Sequence, residues 1–174
     1  MSAIYNYCFF ANLLEFNNTK PLKKEIMKEN LIDVINSLIK KSYDFYIGGE
    51  VEPSKIDRVA ESMNVELAKD FVEFAKKFGM IQIIEFDMDI FGIVDDPNYC
   101  IFDRTKDLRD AYSDFPMDCY VIESFGLWNF VMVQKSDGKI YMYAPGQELS
   151  LVANSLSEYI TKRSLHLIPE DWEE

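Results

Sequence analysis

Apolar residues between positions 22 and 41 recur at helical spacing: Ile26, Leu31, Ile32, Val34, Ile35, Leu38 and Ile39 share one side, with Lys and Glu between them. The pattern predicts a first helix over 22–41. Residues 43–51 break it, and Gly48-Gly49 marks a loop that reorients the chain. Pro53-Ser54 opens a second helix, in which Ser54 and Asp57 have capping-box-like spacing and Ile56, Val59, Ala60 and Met63 keep the period. A third helix carries Phe71, Phe74, Ala75 and Phe78, and Gly79 stands where a left-handed C-terminal cap belongs. Phenylalanines on one helical stripe read as core rather than as a platform for stacked bases.

After Gly79 the period shortens to that of strands. Residues 80–86, 90–94 and 99–102 are short β-rich runs, and 105–115 reads as a polar helix or helical turn. Longer strands follow at 119–123, 128–135 and 140–143, with Ser136-Asp137-Gly138-Lys139 as a tight hairpin turn. Phe130 and Met132 alternate with Val131 and Val133, so both faces of that strand are apolar, as expected of an inner strand. A last helix is expected over 151–163, with Val152, Leu156, Tyr159 and Ile160 inward. The order gives an α+β fold, N-terminal helices and a C-terminal helix packed against one mainly antiparallel sheet. Three segments are expected: a poorly ordered extension at 1–21, one domain at 22–168 and an acidic tail at 169–174. Met27 would serve as the natural beginning of the domain.

Composition narrows the chemistry. The 174 residues are 48% apolar, enough to fill one domain's core. Against 18 Lys and Arg stand 30 Asp and Glu, a net charge of -12 that sets aside direct nucleic-acid binding, because phosphate repels such a surface. An acidic chain suits a basic partner. A single histidine, His166, excludes sites built from several imidazoles, and no Gly-rich phosphate loop is present. Three cysteines without C-x-x-C spacing argue against a disulfide scaffold or zinc ribbon and fit a reducing, cytoplasmic setting. Cys100 and Cys119 read as buried free thiols. The apolar run at 4–14, broken by Asn6 and Asn12, is too short to span a bilayer, so no membrane role is expected.

The charge is unevenly placed. Between Glu85 and Asp118 ten acidic residues face only Arg104, Lys106 and Arg109, a sum of -7, and the closing Glu170-Asp171-Trp172-Glu173-Glu174 adds -4. The middle stretch is the better candidate site, being bracketed by strands, whereas a terminal acidic run is usually a solvated tail. In an extended strand Glu85, Asp87 and Asp89 would line one face, as a solvated acidic strip, a surface for a basic partner, or ligands for Mg or Ca. An EF-hand register from Asp87 fails, since Phe91 and Asn98 fall where ligands are required. Ser124, Ser136 and the cysteines show no nucleophile-elbow context that His166 could serve. Trp128 belongs to the inner strand with a ring edge exposed at its start, and Trp172 is a candidate anchor ordered by a partner.

The run I-D-R-V-A-E-S-M-N-V-E-L-A-K-D-F-V-E-F-A-K-K-F-G-M at 56–80 resembles the paired opening helices of the SUKH superfamily. V-I-E-S-F-G-L-W-N-F-V-M-V, then S-D-G-K-I-Y-M-Y-A-P-G-Q-E and A-N-S-L-S-E-Y-I, resemble the family's strand, D-G hairpin and closing helix in the same order. The likeness covers roughly residues 31–163 and is closest to the YobK-like branch. Ala68 departs from it, standing where a helix-starting Pro is usual, and the acidic content of 85–118 is this chain's own. The resemblance implies binding rather than catalysis; no cofactor and no metal are expected. Its best-known members are immunity proteins that neutralise polymorphic toxins, many of them nucleases; others are intracellular regulatory or scaffold proteins. On the first reading Glu85, Asp87, Asp89, Asp95, Asp96 and Asp103 would cover the basic cleft of a cognate effector's toxic domain, with Trp128 among the apolar contacts. On the second, the same fold would hold a client that is not a toxin. The sequence assigns no oligomeric state.

Overall fold

The computed structural model describes residues 30–125 and 130–166, and within them the helical period begins at Leu31. Asn30 is extended, and its side chain accepts a hydrogen bond from the Ile32 amide at 2.8 Å, which caps α1 (Leu31–Lys41). The helix therefore starts later than the 22–41 periodicity suggests; residues 22–29 lie outside the described residues. The expected loop at 43–51 contains a short strand, β1 (Phe45–Ile47). Pro53 occupies the first turn of α2 (Pro53–Met63), where its missing N–H costs nothing. Glu52, rather than Ser54, is the cap residue and makes no side-chain capping bond, so the capping box does not form. In α3 (Lys69–Phe78) Phe71, Phe74 and Phe78 point inward, as their spacing requires, and Gly79 leaves the helix at φ 66°.

The strands β2 (Ile81–Ile83) and β3 (Met88–Ile90) are joined by a 3-10 turn, Ile84–Phe86, where continuous strand was expected. The expected strand at 99–102 is instead the start of α4 (Ile101–Ala111), preceded by an isolated parallel bridge between Gly92 and Cys100. Next come β4 (Cys119–Ser124), β5 (Val131–Lys135), β6 (Ile140–Tyr143) and β7 (Ser150–Ala153), then α5 (Leu156–Ser164). The helix expected over 151–163 is thus a strand followed by a helix. Ser155 separates them, its hydroxyl accepting from the Glu158 amide at 3.1 Å.

The α+β class holds. The single sheet expected is divided into a three-stranded sheet, β1-β2-β3, and a four-stranded one, β4-β5-β6-β7, with antiparallel ladders throughout. The Phe91 amide donates to the Ile122 carbonyl at 2.7 Å, stitching the end of β3 to β4. β5 is an inner strand, and Met132 and Val133 on its two faces are both fully buried.

Two polar clusters, one half-buried at Asp70 and one fully buried, tie helices to sheet. Asp70 on α3 accepts from the Leu156 amide at 2.7 Å and from Gln134 Nε2 at 3.0 Å, while Tyr120 donates to Gln134 Oε1 at 2.8 Å. Arg163 on α5 pairs with Glu123 on β4 at 3.2 Å, both of them buried. A third junction is steric. Gly48, Gly79 and Gly92 pack backbone to backbone, and a Cβ on Gly92 would sit 1.4 Å from the Gly79 carbonyl oxygen. This contact fixes the β1–α2 link against the segment leaving β3. Among the described residues no helix is long and apolar enough to cross a membrane.

Candidate functional site

That junction opens a groove of about 780 Å³ between β1, the first turns of α2 and the loop at 93–99. Val51, Met80 and Ile93 line its apolar part. Tyr46 and Tyr99 also line it, and Gln82 between them donates to the Tyr99 hydroxyl at 3.4 Å. Four carboxylates surround it, Glu50, Glu52, Asp95 and Asp96, against two bases, Lys55 and Arg58. Lys55 donates to Asp95 at 2.7 Å, and Lys77 to Glu50 at 3.0 Å. The Lys55 ammonium holds the Asp95 carboxyl below the usual carboxylate range. Asp96 accepts from the Asn98 amide at 2.9 Å, which shapes the loop, and leaves the groove with an excess of negative charge.

The six carboxylates singled out in the sequence do not converge. Asp95 and Asp96 line the groove. Glu85 sits in the 3-10 turn and accepts from the amides of Tyr43 and Asp44, the latter at 3.1 Å, so it anchors the chain entering β1. Those bonds, the Tyr43 amide first, hold its carboxyl below the usual range. Asp87 is left-handed at φ 45°, and its carbonyl accepts from the buried Arg163 guanidinium. Asp89, half-buried on β3, stands opposite Gln82; burial pushes its carboxyl up. Asp103 lies in the first turn of α4, half-buried. The turn at 84–87 replaces the extended strand that would have aligned Glu85, Asp87 and Asp89, and the metal reading loses its geometry. Among the described residues no three His, Cys, Asp or Glu side chains converge to hold a metal ion. Trp128 lies outside the described residues, as does Trp172.

Arg163 and Glu123 form the support beneath this region. Glu123 accepts from Arg163, from the Tyr159 hydroxyl and from the Asp89 amide, the last at 3.2 Å. The Arg163 guanidinium also stacks 4.6 Å from the Phe125 ring centre. Burial raises the Glu123 carboxyl's pKa, and the guanidinium opposes that rise. The pair thus fixes the turn between β2 and β3 from inside the molecule.

Sequence reasoning missed Tyr46, Glu50, Glu52 and Tyr99. The Gly48-Gly49 break was a usable signal, since a glycine pair beside exposed aromatics and acids marks close backbone approach. The family model SUKH_5, described as SMI1-KNR4 cell-wall, matches residues 29–165. No curated protein matches the chain.

Proposed function

Because the chain belongs to the SUKH (SMI1-KNR4) family, we propose that it is a cytoplasmic immunity protein, which binds the toxic domain of a cognate effector, a nuclease by preference, and blocks it. The YobK-like likeness belongs with this reading. The observation that carries it is the groove: an apolar and aromatic lining bordered by Glu50, Glu52, Asp95 and Asp96. A nuclease presents a basic cleft to phosphate. Carboxylates around an apolar patch match such a cleft, with charge setting encounter rate and specificity and buried aromatic contact supplying affinity. The contact surface therefore moves from the 85–103 face to the groove, which keeps Asp95 and Asp96 and adds Glu50, Glu52, Tyr46 and Tyr99. Neutralisation is by occupation of the cleft and requires no catalytic group on this chain.

Two measurements test the reading. Removing the chain from its own cell should sensitise that cell to the cognate toxin, and unaltered survival overturns immunity. With the toxic domain in hand, Glu52→Lys with Asp96→Lys should slow association about tenfold and flatten its salt dependence. Asp107→Lys, on α4 and not part of the groove, should leave the rate nearly unchanged. Equal rates for all three proteins would remove the groove from the interface.

A further inference from the structure

The direction of the backbone groups of β1 identifies what the groove sits beside. The Gly48 amide donates to the Met80 carbonyl at 3.0 Å, and the Ile84 amide donates to the Asp44 carbonyl at 3.2 Å. With Tyr46 opposite Gln82 in the same register, the Asp44 carbonyl, Tyr46 and the Gly48 amide face β2 and the residues that flank it. The N–H and C=O groups of Phe45 and Ile47 must then point the other way, away from β2, and among the described residues β1 is the terminal strand of its sheet. They have no hydrogen-bond partner among the described residues. Phe45 is 42% exposed, Tyr46 60% and Tyr43 99%, so among the described residues the edge is open and aromatic. It lacks the lysines and prolines by which proteins usually blunt a free edge.

We infer that the outer edge of β1 accepts an extended, lysine- or arginine-bearing segment of the partner as a fourth, antiparallel strand, with its basic side chains on the groove side. This deepens the binding reading above and rests on it. Antiparallel pairing is the rule in both sheets. Cross-strand neighbours share a face, so incoming residues opposite Phe45 and Ile47 lie on the apolar face, where Ile47 packs against the core. The residues between them lie on the Tyr46 face, along which the groove runs. Charge selects the second set. Glu52 and Asp96 border the groove, neither in an ion pair among the described residues, and Asp44 stands exposed at the other end of β1. The occupant is thus a strand alternating apolar with basic residues, and backbone bonds supply the sequence-tolerant share of its affinity.

The probe is a random twelve-residue peptide library displayed to the full chain, followed by synthesis of the selected peptides. Selected sequences should alternate β-branched or aromatic residues with Lys or Arg. N-methylation at the apolar set, whose amides face Phe45 and Ile47, should weaken binding about tenfold per site, while N-methylation at the basic set should have little effect. Loss from the basic set instead, loss from neither, or selected peptides with helical three- and four-residue spacing would overturn the inference. Amide exchange supplies a reading independent of any variant. The Phe45 and Ile47 amides should exchange fast in the free chain and become protected with peptide bound. Protection already present in the free chain, released by removing residues 1–29 or by dilution, would give the edge to the chain's own N-terminal segment or to a second copy, and would also overturn it. Immunity can fail in the cell while the peptides still bind this edge, and the converse can hold, so the two readings fail separately.

Discussion

Single side chains in this molecule do their work mostly by satisfying backbone groups. Ala68 donates its amide to the Tyr120 hydroxyl at 3.2 Å, a bond that a proline at this position could not make. That hydroxyl in turn donates to Gln134, so the Ala68 amide belongs to the network that joins α3 to β4 and β5. Asp114 does the same at the surface, accepting from the Gly146 amide at 2.7 Å and from the Tyr143 hydroxyl at 3.0 Å. Those two bonds, the amide first, hold its carboxyl below the usual carboxylate range. The folded-state pKa is depressed, so the stabilisation is present above the unfolded value and is lost as pH falls through the folded one. The Gly146 amide resonance should therefore titrate with a midpoint below the ordinary carboxylate range. A midpoint within that range would show that the bond does not hold the carboxylate.

At the scale of elements, legibility followed exposure and length. Helices α2 and α3, strand β6 and the hairpin before it were readable because a buried stripe or a D-G turn constrains sequence strongly. β1 was not, since three residues of half-exposed edge strand leave no alternation to detect. β7 was hidden for another reason: Leu151 and Val152 precede Leu156 at spacings that continue the helix pattern, and only the Ser155 cap divides them. The glycine junction was legible as a break but not as a contact, because Gly48, Gly79 and Gly92 meet only once the sheet has formed. Gly92→Ala should cost about 3 kcal/mol, the upper end of what overpacking costs, because the new Cβ meets backbone that cannot rotate aside. Urea denaturation measures it, and a loss below about 1 kcal/mol would mean that the junction opens cheaply.

For the whole molecule the net charge of -12 acts in two opposed ways. Asp95 and Asp96 could be read from the acidic stretch, but Glu50 and Glu52 could not, because they reach the same groove from forty residues upstream, as the Lys55–Asp95 bond shows. An excess of one sign repels itself in the compact state, and the carboxylates around the groove add to that repulsion before any partner arrives. Salt screens this, with a Debye length near 10 Å at about 0.1 M. The free chain should therefore gain stability as NaCl rises from near zero to about 0.5 M, seen as a higher urea midpoint with an unchanged slope. Association with a basic partner should slow over the same range, because the same screening removes the attraction. Glu52→Lys with Asp96→Lys should reduce both responses together, since it removes charge from one place. If it flattened the association response but left the salt response of stability whole, the self-repulsion would lie elsewhere, in the acidic residues of 103–118 rather than at the groove.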